Sequence, residues 1–397
     1  MAGTSKWLDQ LKLRLSYGSN GNQAISAYQT LDRLSAVKKY LFGDEATPVN
    51  GVYLPTNGVG NPNLKWETTN TFNAGLDYSF LNGRLLGSFD FYVSNTKDLL
   101  MSRSVPYMNG YRSIMDNIGS TRNIGLEFVL TSVNIRNKDF EWRTTFNLAW
   151  NKDEITKLAD NATQDLTNKW FVGESSRVYY DYNVVGTWQT NEATWDATKK
   201  KYINADGKEI QKGAVPGSAK LEDVNGDGVI DSNDKKVIGS KLPSITSALT
   251  NNFAYKNVYA SFVLTGLFGQ WRQMHDYNFD RWMPEFNYLS GMNYWTEDNP
   301  TNEMTSPVYV PFNKHGFYKR MNYVHIKNVT LGYRLPKEWA NSLGLQSIKC
   351  DLSVNNLYTF SNIKNALNFD STQDDEKGAV IGYPTARSYM FTLNVSF

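Results

Sequence analysis

The chain has 397 residues, one cysteine and a formal charge of +2, which excludes an internal disulfide or cysteine-based zinc site and gives no basic surface for a nucleic-acid partner. No run of about 18 apolar residues exists to form a membrane-spanning helix, and the start M-A-G-T-S-K-W lacks the charged and apolar regions of a secretory signal. A transmembrane β-barrel escapes both tests, because only every second residue of each strand meets lipid.

Ten segments alternate apolar and polar residues with period two, each near the length of a tilted membrane-crossing strand. The first carries Leu11, Leu13, Leu15 and Tyr17, the second Phe72, Ala74, Leu76, Tyr78 and Phe80, and the third Leu85, Phe89, Phe91 and Val93. In the fourth, Ile124, Leu126, Phe128 and Leu130 oppose Glu127 and Thr131. The fifth is the clearest: Phe140, Trp142, Phe146, Leu148 and Trp150 fall on one face, and Glu141, Arg143, Thr145, Asn147 and Asn151 on the other. Ile245, Leu249 and Phe253 build the sixth, Val258, Ala260, Phe262 and Leu264 the seventh, and Val329, Leu331 and Tyr333 the eighth. The ninth sets Ile348, Cys350, Leu352 and Val354 against Lys349, Asp351 and Asn355, and the tenth has Tyr389, Phe391, Leu393, Val395 and Phe397.

Connections alternate as well. They are short at Asn82-Gly83, Asn134 to Lys138 and Lys256-Asn257, intermediate at Pro336 to Gln346, and long at 19–65, 95–121, 152–243, 269–322 and 356–387. Asn-Gly suits a two-residue hairpin because both positions must tolerate positive φ. Tight turns at one end and long loops at the other are the pattern of outer-membrane barrels, with turns in the periplasm and loops outside. A soluble antiparallel sandwich also alternates, but has no cause to gather its long loops at one end. The expectation is an all-β, antiparallel transmembrane barrel.

Ordered motifs along nearly the whole chain resemble the SusC/RagA family of TonB-dependent outer-membrane transporters: L-K-L-R-L-S-Y-G-S-N-G-N-Q from Leu11, N-P-N-L-K-W-E from Asn61, N-I-G-L-E-F from Asn123, D-V-N-G-D-G-V-I-D from Asp223, I-K-N-V-T-L-G-Y-R-L-P from Ile326 and the terminal L-N-V-S-F. The resemblance implies a longer parent with a signal peptide, an amino-terminal extension, a plug that contacts TonB, and a barrel of about 22 strands. The ten strands of 1–397 are then its carboxy-terminal part, with Met1 an internal or truncated start. It further implies import of an oligosaccharide or peptide under a SusD-like surface lipoprotein, energised through TonB, with no chemistry done on the cargo. Tyr389, Phe391, Leu393, Val395 and Phe397 look like the signal that the outer-membrane assembly machinery reads before the barrel enters the lipid bilayer.

Within the long extracellular loop 152–243, residues 223–234 place Asp223, Asn225, Asp227, Asp231 and Asp234 at positions 1, 3, 5, 9 and 12 of a calcium loop, with Gly228 at the turn and the Val229 carbonyl at position 7. Asp replaces Glu at position 12 and no amphipathic helix flanks the loop, so it looks more like a dockerin loop than an EF-hand. A structural calcium is one reading, and an acidic turn closed by Asx hydrogen bonds without metal is the other. Loop aromatics offer a substrate surface: Tyr179, Tyr180, Tyr182 and Trp188, then Trp271, Tyr277, Trp282, Tyr288, Tyr294 and Trp295, beside Asn278, Asp280 and Arg281. Tyr180, Trp188, Trp271, Trp282 and Trp295 are the candidates for stacking on sugar or peptide, although loops of this length must also bury small cores of their own. His275, His315 and His325 lack any hydrolase motif, and Cys350 falls in the lipid-facing register, so no catalytic residue is expected. Glu127, Arg143, Lys349 and Asp351 are expected on the inner wall. A secreted, calcium-stabilised carbohydrate-binding β-protein, or an outer-membrane enzyme or passive porin, are the competing classes.

Overall fold

A computed structural model describes residues 7–23, 25, 28–32, 34–42, 47–53, 59–106, 108, 110, 113–274, 291–308, 315–363 and 385–397. They form two compact units, Met1–Arg177 with Ile245–Lys256, and Val178–Ser244 with Asn257–Phe397. The first holds six long strands: β1 (Leu8–Asn22), β2 (Glu67–Phe80), β3 (Leu85–Ser104), β4 (Ser113–Arg136), β5 (Phe140–Lys157) and β6 (Ile245–Tyr255). Each pairs antiparallel with the next in chain order. The second holds β7 (Val258–Gln273), β8 (Tyr318–Arg334), β9 (Ser347–Ser361) and β10 (Ser388–Ser396), likewise paired in order.

Registration stacks the alternating residues into rows that run across the strands. One row of the first unit reads Leu11, Tyr78, Gly87, Leu130, Phe146 and Leu249, and the next reads Leu15, Ala74, Phe91, Leu126, Trp150 and Ile245. In the second unit Val258, Tyr333, Cys350 and Leu393 align, as do Ala260, Leu331, Leu352 and Phe391. These rows are not covered by protein: Leu15 is 64 % exposed and Phe391 68 %. Contiguous apolar surface on this scale needs lipid as its solvent. Cys350 sits within such a row, as an apolar side chain.

On both faces, glycines let a side chain reach over one strand to the next. Tyr78 of β2 lies opposite Gly87 of β3, and its hydroxyl donates to the Val129 carbonyl of β4 at 3.1 Å. Tyr92 of β3 crosses Gly125 of β4 and donates to Asn151 Oδ1 of β5 at 3.2 Å. Tyr259 of β7 crosses Gly332 of β8 and donates to Asp351 of β9. A Cβ at any of the three glycines would collide with the tyrosine ring.

Three expectations about the connections are corrected. The long loop at 95–121 is mostly strand: β3 runs on to Ser104 and β4 begins at Ser113, with register shifts at Thr96/Leu99 and Ser120/Thr121. These irregularities break the period of two, so the alternation fades while pairing continues. Asn82-Gly83 is the centre of a four-residue turn, Leu81 to Arg84, with positive φ at Leu81, Asn82 and Gly83. Asp9 caps it, accepting from the backbone amides of Asn82 at 3.1 Å and Gly83 at 2.8 Å. The Asn134 to Lys138 turn shortens to three residues, 137–139, because β4 extends through Arg136. Lys256-Asn257 is a two-residue connection as expected, and the intermediate connection carries the helix Lys337–Ser342.

Candidate functional site

The polar face of the strands is a wall of cross-linked charges. Arg14 of β1 donates to Asp77 of β2 through Nε at 3.0 Å and Nη2 at 2.9 Å, and Nη2 also reaches Asp90 of β3 at 3.0 Å. Gly75 makes this bridge possible, since a Cβ there would stand 2.5 Å from Asp90 Oδ1 and 2.6 Å from Arg14 Cζ. Glu127 is registered opposite Asp90, and Arg143 lies 3.4 Å from Glu141. Lys349 is registered opposite Asn394, and Asp351 accepts from Tyr259 and, at 3.3 Å, from Asn394. Glu127, Lys349 and Asp351 thus occupy polar rows, and Arg143 shares its strand face with Glu141 while lying opposite Val133.

The second unit carries the elaborated loop. Val178–Tyr182 pairs with Lys235–Ser240, and Val184–Thr187 with Ala219–Leu221, which brings Tyr182, Ala219 and Leu221 into a small core with Val184, Ile230 and Phe317. Asp181 fastens it to the start of β8, accepting from the Gly316 amide at 2.9 Å and the Tyr318 hydroxyl at 2.7 Å, while Tyr318 packs on Tyr179 with ring centroids 4.8 Å apart.

This core determines where the aromatic candidates lie. Trp295 is buried and donates through Nε1 to Gln189 Oε1 at 2.8 Å. Trp188, next to Gln189, exchanges backbone hydrogen bonds with Gly217 and Ser218, and the Lys220 ammonium sits 4.5 Å from its ring centroid. Gly217 in turn leaves the space that Trp295 fills. Trp188 and Trp295 are therefore brought together, around Gln189 and Gly217. Trp271 lies against Gly239, and Tyr180 belongs to the strand paired with Lys235–Ser240. Trp282, with Tyr277, Tyr288, Asn278, Asp280, Arg281 and His275, lies outside the described residues. His315 is buried beside Phe317. His325 bridges β8 and β9, its ring nitrogens meeting Thr359 Oγ1 at 2.6 Å and Asn356 Oδ1 at 3.2 Å.

The 223–234 loop is wrapped by its own side chains. Asp223 accepts from the amides of Gly226 at 2.7 Å and Gly228 at 2.8 Å, Asn225 from Asp227 at 3.0 Å, and Asp227 from Val229 at 2.8 Å. Asp234 is fully buried and accepts from Val224 at 2.9 Å and Asp231 at 2.8 Å, closing a capping box on the turn Ser232–Asp234. Among the described residues no three acidic or imidazole groups converge as a metal cage. The donors remain all-oxygen, the set a hard cation takes, and an ionised carboxylate has about four acceptor sites, so the backbone bonds do not exhaust them.

A cleft of about 840 Å³ lies against this loop, lined by Lys199, Lys201, Lys208 and Lys212 together with Asp227 and Asp231. No motif in the sequence marks it. The signal was the lysine density of 199–212, which is split in space between the hairpin Thr194–Asp196/Lys201–Ile203 and the segment after it.

Residues 2–228 match the family described as TonB dependent receptor-like, beta-barrel. The chain belongs to this family. TonB-dependent receptor P26 of Formosa agariphila is 32% identical over 419 residues, a match covering 98% of this chain and 40% of that receptor. TonB-dependent receptor SusC of Bacteroides thetaiotaomicron is 30% identical over 347 residues, covering 84% of this chain and 32% of SusC. The structure of the RagAB peptide transporter superposes with a TM-score of 0.74 at 25% identity, over 99% of this chain and 42% of that one. This receptor chain thus spans less than half the length of each of these relatives. Both the SusC/RagA resemblance and the barrel wall expected from alternation are upheld, and they place the chain among outer-membrane proteins.

Proposed function

We propose that this receptor chain is part of a transporter that imports a large nutrient, an oligosaccharide or a peptide, across the outer membrane, with TonB supplying energy and a SusD-like lipoprotein closing the outer face. The observation that carries the reading is the two-faced wall: apolar rows for lipid on one side, and on the other a cross-linked polar face suited to water, a plug and cargo. Relatives named as a TonB-dependent receptor and as a peptide transporter support it. In this reading the remaining strands, the plug and the TonB contact come from the rest of the protein, and Tyr389, Phe391, Leu393, Val395 and Phe397 guide insertion. A secreted carbohydrate-binding protein would leave the apolar rows in water.

The test is uptake. Deleting the gene should abolish growth on one glycan or peptide mixture, deleting TonB should have the same effect, and the protein should co-purify from outer membranes with a surface lipoprotein. Uptake that persists without TonB would mean a passive pore, and fractionation of the protein with soluble material would end the reading altogether.

A further inference from the structure

Nothing in the family assignment accounts for the lysine-lined cleft. Its volume, about 840 Å³, falls in the range of about 300–1,000 Å³ typical of small-ligand sites, and Tyr182 and Ile230 add apolar lining to its charged groups. The two signs of charge have different commitments. Three acids line the cleft. The Asp227 carboxylate accepts from the Val229 amide at 2.8 Å and from Asn225 Nδ2 at 2.9 Å, and Asp231 accepts from the Asn233 amide at 2.7 Å, so these two are held in place by their own loop, while the third, Glu209, is paired with a lysine. Among the lysines, Lys201 meets Glu209 at 2.9 Å, and Lys199 meets the Gly207 carbonyl at 3.1 Å. Lys208 and Lys212 are exposed, and Lys212 also acts on the Glu209 carboxylate. Lys208 reaches toward the acidic loop, its ammonium 3.6 Å from where a Cβ of Gly228 would stand.

We propose that this cleft binds an anionic oligosaccharide, with a carboxylate or sulfate group of one sugar against Lys208 and Lys212 and ring hydroxyls donating to Asp227 and Asp231. A sugar unit of this kind carries both partners on one rigid ring. A run of acidic side chains on a peptide would meet the same lysines but bring like charge to the two carboxylates. The inference rests on the import reading and narrows its cargo to acidic glycans.

The test uses the full-length receptor in detergent and measures binding of a uronate oligosaccharide, a neutral oligosaccharide of equal length and an oligoglutamate peptide of equal charge, at low and high salt. The uronate should bind best, and more weakly as salt rises. Lys208→Ala with Lys212→Ala should weaken it about tenfold while leaving the folded receptor intact, since both side chains are exposed. Equal affinity for the neutral sugar, indifference to the lysine changes, or a peptide that binds as tightly as the uronate would each overturn the proposal. Charge-dependent binding without uptake would refute only the import reading, and uptake without such binding only this one.

Discussion

Gly332→Ala is the substitution for which the wall geometry gives the clearest energy. Gly332 has ordinary strand backbone, so a methyl group there brings no torsional penalty. Its cost is the collision with the Tyr259 ring, which must swing away and release its hydrogen bond to Asp351. A hydrogen bond to a charged group contributes about 1.5–3 kcal/mol. Forcing a packed side chain off its seat costs about 1–3 kcal/mol. Replacing a strand glycine returns about 0.5–1 kcal/mol of backbone entropy. The net loss is therefore about 2–5 kcal/mol. Urea unfolding of the protein in lipid vesicles, followed by tryptophan fluorescence, should show a lower midpoint with an unchanged slope. In a Tyr259→Ala background the obstacle is gone, and Gly332→Ala should be neutral or stabilising by about 0.5–1 kcal/mol. An equal cost in both backgrounds would refute the idea that the glycine exists to seat the ring.

Three further outcomes are expected. Phe391→Lys puts a charge on the lipid face and should cost about 2–4 kcal/mol near the bilayer midplane, seen as less assembled protein in outer membranes, whereas Asn394→Ser, on the polar face opposite Lys349, should assemble normally. Calcium at the 223–234 loop is a proposal from its donor spacing, and adding calcium after EGTA should slow hydrogen exchange at the Gly226 and Gly228 amides; identical protection in both conditions would leave the Asx turns as the whole explanation. Lys236, 2.6 Å from Glu222, together with Asn183, holds the Glu222 carboxyl below the usual carboxylate range. A depressed value means that this contribution is complete above the unfolded glutamate value of about 4.3 and is lost as pH falls through the lower folded value. Protease resistance of residues 178–244 should therefore hold from pH 7 to about 5 and decline in more acidic buffer, and Lys236→Ala should lower resistance at pH 7 and flatten the acid decline.

The strands were legible because lipid imposes a filter with a period of two, and a row such as Leu15, Ala74, Phe91, Leu126, Trp150 and Ile245 survives as alternation in each strand separately. Beyond the bilayer the filter ends. The register shifts in the distal halves of β3 and β4 break the alternation, and they read as loop although they are hydrogen-bonded strand. The Asp-rich loop was legible because its bonding is local, within twelve residues. The lysine cleft was not, because what makes it a site is the approach of residues 199–212 to residues 227–232, a tertiary fact with no period. Trp295 shows the same limit: sequence presents it as a loop aromatic, and only the positions of Gln189 and Gly217 bury it.

The glycines of the wall connect these observations. Arg14 over Gly75, Tyr92 over Gly125 and Tyr259 over Gly332 each tie a strand to its second neighbour, on the polar face where no lipid presses the strands together. A hydrogen-bonded ladder resists separation of adjacent strands but resists bending about a strand axis poorly. A bond that spans three strands supplies that second stiffness. If so, the alanine substitutions at these glycines should act locally, loosening exchange protection on the three strands concerned while leaving the 178–244 segment, with its own core and its own ion pairs, unaffected. Loss of protection in that segment as well would show that the wall and the loop are one cooperative structure, and that ligand specificity cannot change without a cost to the barrel.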